Sequence, residues 1–150
     1  MSSAQHLLQS ANAVLVIDWP SKDVPETLAR AGLAVVVKGG PLDTDYSTWR
    51  WNGSSIRREA LGHPPDHSDI VYCHRPLDEL PSIVILAQKV GAGAIWSQSG
   101  RNETGANDAA GCWVPDDESQ ARRTIVEAAQ LTYIDSPYIA DVARQLIVSS

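Results

Sequence analysis

Two hydrophobic periods alternate along the chain. Runs dominated by β-branched and aliphatic residues occupy Ala13–Ile17, Leu33–Val37, Asp69–Cys73 and Ala92–Trp96, the mark of strands buried on both faces. Each gives way to polar residues and then to helical spacing. Leu7, Leu8 and Ala11 after Ser3 predict a short helix over 3–11, and Pro25, Leu28 and Ala31 predict a second, stopped by Gly32. Leu80, Ile83, Val84 and Ala87 give a helix over 76–90, closed by Gly91. Asn102 as an N-cap predicts a helix through Ala110, ended by Gly111, with Cys112–Val114 as a further short strand. Asp116–Leu131 reads as an acid-started helix with Ala121, Ile125 and Ala128 inward. Asp135 then caps a last helix over 136–147 with Pro137 at its first position. Its stripe of Ile139, Val142, Ala143, Leu146 and Ile147 docks on the core or on a second protomer.

Residues 42–67 break the rhythm. Asn52-Gly53 between alternating segments predicts a β-hairpin over 44–60 with a type I′ turn, whose two central positions need positive φ. Trp49 and Trp51 on one face of that hairpin cover the sheet edge or meet another subunit, with edge covering the favoured role. His63 to His67, with two prolines, is a stiff connector. The whole pattern is that of one α/β domain spanning 1–150. The expected architecture is a Rossmann-like three-layer sandwich with a mainly parallel sheet of about five strands, right-handed crossovers and a hairpin excursion. In such sheets ligands sit at the carboxyl ends of the strands.

Composition narrows the function classes. A net charge of −6 gives no global attraction to nucleic acid or anionic lipid. No secretory leader pattern opens the chain and no apolar run approaches the length of a membrane span, so a cytoplasmic protein is expected. Cys73 and Cys112 lie in or beside apolar runs and are expected as small buried hydrophobes, not as a disulfide.

The string Asp69 to Pro76, then a helix ending in glycine, then Ile95 to Gly100 with Asn102, Glu103 and Ala109 to Gly111, resembles the small stand-alone CoA-binding proteins. These are Rossmann-like relatives of the CoA-binding domain of the succinyl-CoA synthetase alpha subunit. The resemblance implies that coenzyme A or an acyl-CoA lies along the carboxyl edge of the sheet. It also implies a first loop with glycine after the first strand and an Arg-Pro-Ser-like entry to the helix. Here that stretch is Asp18 to Pro25, with an acid in place of the glycine and no arginine. A carboxylate there opposes a phosphate, and Trp19 prevents close backbone approach. Lys38, Gly39 and Gly40 after the second strand offer a compensating anion nest.

The candidate ligand residues are therefore Asp18, Trp19, Ser21 and Lys22, then Lys38 to Gly40, His74 and Arg75, and Gln98, Ser99, Gly100 and Asn102. Each has a plainer role beside it. Arg75 suits a surface ion pair, Gln98 a bond to a neighbouring loop, Asn102 a helix cap, and Trp96 belongs to the core rather than under an adenine. Enzymatic readings are weaker. Neither the dinucleotide fingerprint G-x-G-x-x-G nor a phosphate-binding G-x-x-x-x-G-K-[ST] is present, and Cys73 and His74 point to opposite faces of a strand. His63 and His67 are separated by two prolines and are assigned no metal. Two functions remain: non-enzymatic binding of CoA or a related nucleotide, with a homodimer as a further expectation, or a degenerate relative acting through protein contacts.

Overall fold

The computed structural model describes residues 2–18 and 21–149. In chain order the elements are α1 (Ser3–Ser10), β1 (Ala13–Ile17), α2 (Asp23–Arg30), β2 (Ala34–Lys38), β3 (Tyr46–Trp51), β4 (Ile56–Ala60) and β5 (Ile70–Cys73). A 3₁₀ turn at Leu77–Glu79 runs into α3 (Leu80–Lys89), followed by β6 (Ala94–Ser97), α4 (Asp116–Ala128), β7 (Thr132–Ile134) and α5 (Ile139–Ser149). One mixed sheet results, in the order β4-β3-β2-β1-β5-β6-β7, parallel throughout except where β3 and β4 join it. This α/β sandwich is consistent with the Rossmann-like class.

Burial on both faces follows from the unbroken apolar runs. Val14, Val16, Val35, Val37, Ile70, Tyr72 and Trp96 face one side, where α1, α2 and α5 close over them through Leu8, Leu28 and Ile139. Leu15, Val71, Cys73 and Ile95 face the other, against Leu80, Ile83 and Ala87 of α3 and Val126 of α4. Trp96 is fully buried, as a core residue should be, and its indole donates to the Pro137 carbonyl.

The sheet differs from expectation at several places. The fifth parallel strand is Thr132–Ile134, beside β6, and not Cys112–Val114. Three residues after a helix, Thr-Tyr-Ile reads too briefly to signal a strand, yet β-branching and the β6 edge suffice to pair it. Residues 101–110 form no helix. Asn102 Oδ1 instead accepts the amides of Thr104 and Ala106, so the side chain that was expected to start a helix closes a turn. The inward face of α4 is set by Arg122 and Val126, while Ala128 is exposed. The last helix begins at Ile139, beyond Pro137.

The hairpin is integral to the sheet. β3 pairs antiparallel with β2 from Val35↔Trp49 to Lys38↔Tyr46. Its turn is a four-residue loop, not type I′: Gly53 alone takes positive φ, and Asn52 Oδ1 accepts the amides of Ser54 and Ser55. Trp49 is buried against the core, with the Arg58 guanidinium 3.8 Å from its ring centroid, and Arg30 stacks on Trp51. The tryptophans therefore pack on a face of the sheet, and the hairpin extends the sheet beyond β2.

Candidate functional site

The parallel strands order as β2-β1-β5-β6-β7, so the chain winds outward in opposite directions from the β1/β5 boundary. Loops leaving the carboxyl ends of β1 and β5 splay apart at such a point and leave a crevice. The crevice here is divided in two.

The larger part has a volume of about 690 Å³ and is lined by Asp18, Lys38, Gly39, Gly40 and Arg75, all singled out from sequence. Its apolar wall is Ile17, Tyr46, Ile83 and Leu86, with Glu79 and Lys89 at its polar side. The smaller part, about 330 Å³, lies over the ends of β5 and β6 and takes in His74, Gln98, Ser99, Arg101 and Arg122. Asp18 and Arg75 line both and stand between them.

Asp18 follows the end of β1 with φ 56, in the left-handed region that favours glycine. The backbone at position 18 thus takes a conformation easiest for glycine, and an aspartate adopts it. Asp18 Oδ2 accepts from Arg75 Nη1 at 2.9 Å, while Glu79 takes Arg75 Nε at 2.7 Å and Nη2 at 2.6 Å. The Asp18 and Glu79 carboxylates raise the Arg75 pKa further above its ordinary value, so it is a permanent cation held between two anions.

Lys38 leaves the end of β2 and curls back, donating to the Gly40 carbonyl at 2.6 Å, with its ammonium 5.9 Å from the Tyr46 ring centroid. A Cβ on Gly40 would overlap the Asp45 carboxylate as it stands, so that side chain would have to shift. Gly39 donates its amide to Asp45 and so joins the turn into the hairpin.

Ser21 and Lys22 line neither part. Ser21 lies near the Tyr138 hydroxyl on the α5 side, and Lys22 is exposed ahead of α2. The positive end of α2 is met by its own acid, Asp23, whose carboxylate accepts from Thr27, Tyr138 and Arg144. Trp19 lies outside the described residues.

Gln98, Ser99 and Gly100 converge on one carbonyl. Gly111 O accepts from Gln98 Nε2 at 2.6 Å, from the Gly100 amide at 3.0 Å and from Ser99 Oγ at 3.3 Å. These residues close the 101–111 loop on itself, so Gln98 does the loop-binding work that was its plainer expectation. A Cβ on Gly111 would overlap the Arg101 carbonyl, which fixes glycine there. His74 Nε2 sits 3.3 Å from Ser99 O, in space left by Gly100, whose φ is 68.

Arg122 escaped sequence reading, flanked as it is by Arg123 and polar residues. Its signal is helical spacing: it stands four residues before Val126, the one buried aliphatic of α4. The guanidinium donates to Ser97 Oγ at 3.1 Å and to the Arg75 carbonyl at 3.2 Å, tying α4 to the ends of β5 and β6. Glu79 and Lys89 were also missed, since a turn and a helix face bring them to the crevice from outside any motif, whereas Arg101 falls within the Ser99 to Asn102 stretch that sequence had marked for phosphates.

Cysteine chemistry is absent from both parts. Cys73 is fully buried, and desolvation pushes its thiol up to about 11 in spite of a Ser97 hydrogen bond, so the nucleophilic thiolate is suppressed. Cys112 is pushed up to about 11 by burial as well, and both cysteines are free. No helix among the described residues is long and apolar enough to cross a membrane.

No family model and no curated protein matches the chain. Among solved structures it is similar to the crystal structure of Prb, the PH1109 protein redesigned for binding, with 16% sequence identity and a TM-score of 0.57 over 96% of this chain and 89% of that one. At that identity the likeness is one of fold: the same α/β scaffold carries a different set of side chains.

Proposed function

We propose that the chain is a non-enzymatic, cytoplasmic binding module for coenzyme A, an acyl-CoA or a related nucleotide, held in the larger part of the crevice. One observation carries the reading. The cleft at the β1/β5 switch point is lined by Asp18, Lys38, Gly39, Gly40 and Arg75, residues reached independently from sequence. Its volume of about 690 Å³ falls in the range of small-molecule sites. Tyr46, Ile83 and Leu86 provide an apolar wall for a base, and Lys38 and Lys89 provide charge for phosphates.

The test is isothermal titration of ligand-stripped protein with CoA, dephospho-CoA and ADP. Saturable micromolar binding that weakens without the 3′-phosphate supports the CoA reading, and absence of heat with all three overturns it. The latter outcome favours a second reading, a degenerate domain acting through protein contacts. Its supporting observation is that Asp18 and Glu79 already occupy Arg75, the strand-end cation best placed for a phosphate.

A further inference from the structure

We propose that the smaller chamber, over the carboxyl ends of β5 and β6, is a site for a small oxyanion, a carboxylate or a phosphate group. The inference does not depend on what occupies the larger cleft. Arg122 carries it. A guanidinium withdrawn from water needs counter-charge close by, because an uncompensated buried ion costs several kcal/mol. Arg122 is 6% exposed, yet its single carboxylate neighbour, Glu118, is met from Nε at 3.4 Å, the long limit of a hydrogen bond. Its other partners, Ser97 Oγ and the Arg75 carbonyl, are neutral acceptors. The cation is thus desolvated by protein and only partly neutralised by it, on the wall of a chamber that opens to solvent.

The remaining charges around the chamber point the same way. Arg75 is answered by Asp18 and Glu79, whereas the Arg101 side chain has no ion-pair partner among the described residues. Arg101 stands exposed at the chamber's rim. The lining sets Arg75, Arg101 and Arg122 against Asp18 and Glu118, and with Glu79 also on Arg75 the positive potential is local, at the unpaired Arg101 and the loosely paired Arg122, where a small anion gains what a cation does not. The His74 ring adds a polar group to the lining, while the Ser99 hydroxyl is already engaged by the Gly111 carbonyl. A volume of about 330 Å³ lies at the lower bound of ligand sites and suits an acid of a few carbons or a single phosphate.

The test is titration of the full chain at low ionic strength with inorganic phosphate, and separately with acetate and succinate, while the Arg122 Nε–H resonance is followed by NMR. The expected result is saturable binding of at least one of the three, a shift of that resonance, and roughly tenfold weaker binding in Arg101→Ala. Lys38→Glu, in the other cleft, should leave this binding within about twofold of wild type. The phosphate and carboxylate arms show which acid is preferred. No saturable binding of any of the three overturns the proposal. So does binding that leaves the Arg122 signal unmoved and ignores Arg101→Ala but is lost in Lys38→Glu, since the anion would then sit in the larger cleft. Titration with CoA or ADP reads the larger cleft and can fail while this binding persists.

Discussion

Asp18 and Arg75 are 57 residues apart in sequence and meet across the β1/β5 boundary, Arg75 Nη1 donating to Asp18 Oδ2 at 2.9 Å. The aspartate holds the guanidinium where an incoming phosphate would want it, so it competes with an anionic ligand from within the chain. Asp18→Asn keeps the shape and removes the charge. We expect it to tighten ADP binding by about fivefold, the upper worth of a half-exposed ion pair. Weaker binding in the variant, read by the same titration, would mean that Asp18 contacts the ligand itself.

Lys38 supplies the opposite prediction. Its ammonium is tethered to its own loop through Gly40 O, on the wall of the larger cleft. Lys38→Glu puts a negative charge in that place and should weaken ADP and CoA at least tenfold at low salt, with a smaller effect at high salt as screening grows. An unchanged dissociation constant would remove Lys38 from the site.

Asp69 links the starts of two neighbouring strands. Its Oδ2 accepts the amides of Asn12 at 2.7 Å and Ala13 at 3.0 Å, and Oδ1 meets His67 Nε2 at 2.9 Å. The Asn12 amide foremost, then His67, lowers the carboxyl pKa below its ordinary value. A carboxylate lowered by folding stabilises the native state above its unfolded pKa of about 3.9, and the contribution is lost as pH falls through the folded value. Asp69→Asn should cost about 1–2 kcal/mol at pH 7. Urea unfolding at descending pH should show wild type and variant converging below about pH 4. A constant gap across that range would show that geometry alone, without charge, matters.

Gly111→Ala tests the loop that roofs the smaller chamber. The added methyl collides with the Arg101 carbonyl, which belongs to backbone and cannot swing aside. A loss of about 1–3 kcal/mol is expected, with faster amide exchange at Gly100 and Asp108, whose hydrogen bonds close the same loop. Wild-type stability and exchange would show that the loop has an alternative closed form.

Leu146 belongs to the apolar stripe of α5 that sequence assigned to the core or to a second protomer. It packs on the core formed with α2, beside the buried Val142 and Ala143. Leu146→Asp should therefore lower stability by about 2 kcal/mol and leave the mass in solution unchanged. A change in mass at unaltered melting temperature would place Leu146 at a contact between copies.

Sequence was legible where one residue decides one thing. The short β-branched runs at Ala13 and Asp69 favour a strand buried on both faces, and the polar residues that follow them then lie at the carboxyl edge. Five of the residues picked there, Asp18, Lys38, Gly39, Gly40 and Arg75, do line one cleft. What stayed hidden was the pairing among them. Nothing local tells Arg75 that its partners are Asp18 and Glu79, because the first comes from another strand's end. Ser21 and Lys22 followed chain proximity to the first loop, but the polypeptide turns Ser21 toward Tyr138. Arg122 looked like solvated helix surface because it is itself charged and precedes a second arginine, Arg123, and only the placement of α4 over β6 buries it. The Asn102 turn was misread because an asparagine ahead of a helix and one closing a loop offer the same carbonyl to the same amides.

The hairpin that broke the rhythm of the sequence has a consequence for the chain in company. By pairing with β2 it moves the sheet's free margin outward to β4, where Arg57, Arg58 and Glu59 stand exposed. The opposite margin, β7, is three residues long. A charged rim on one side and a stub on the other offer a poor template for strand-by-strand fibre growth.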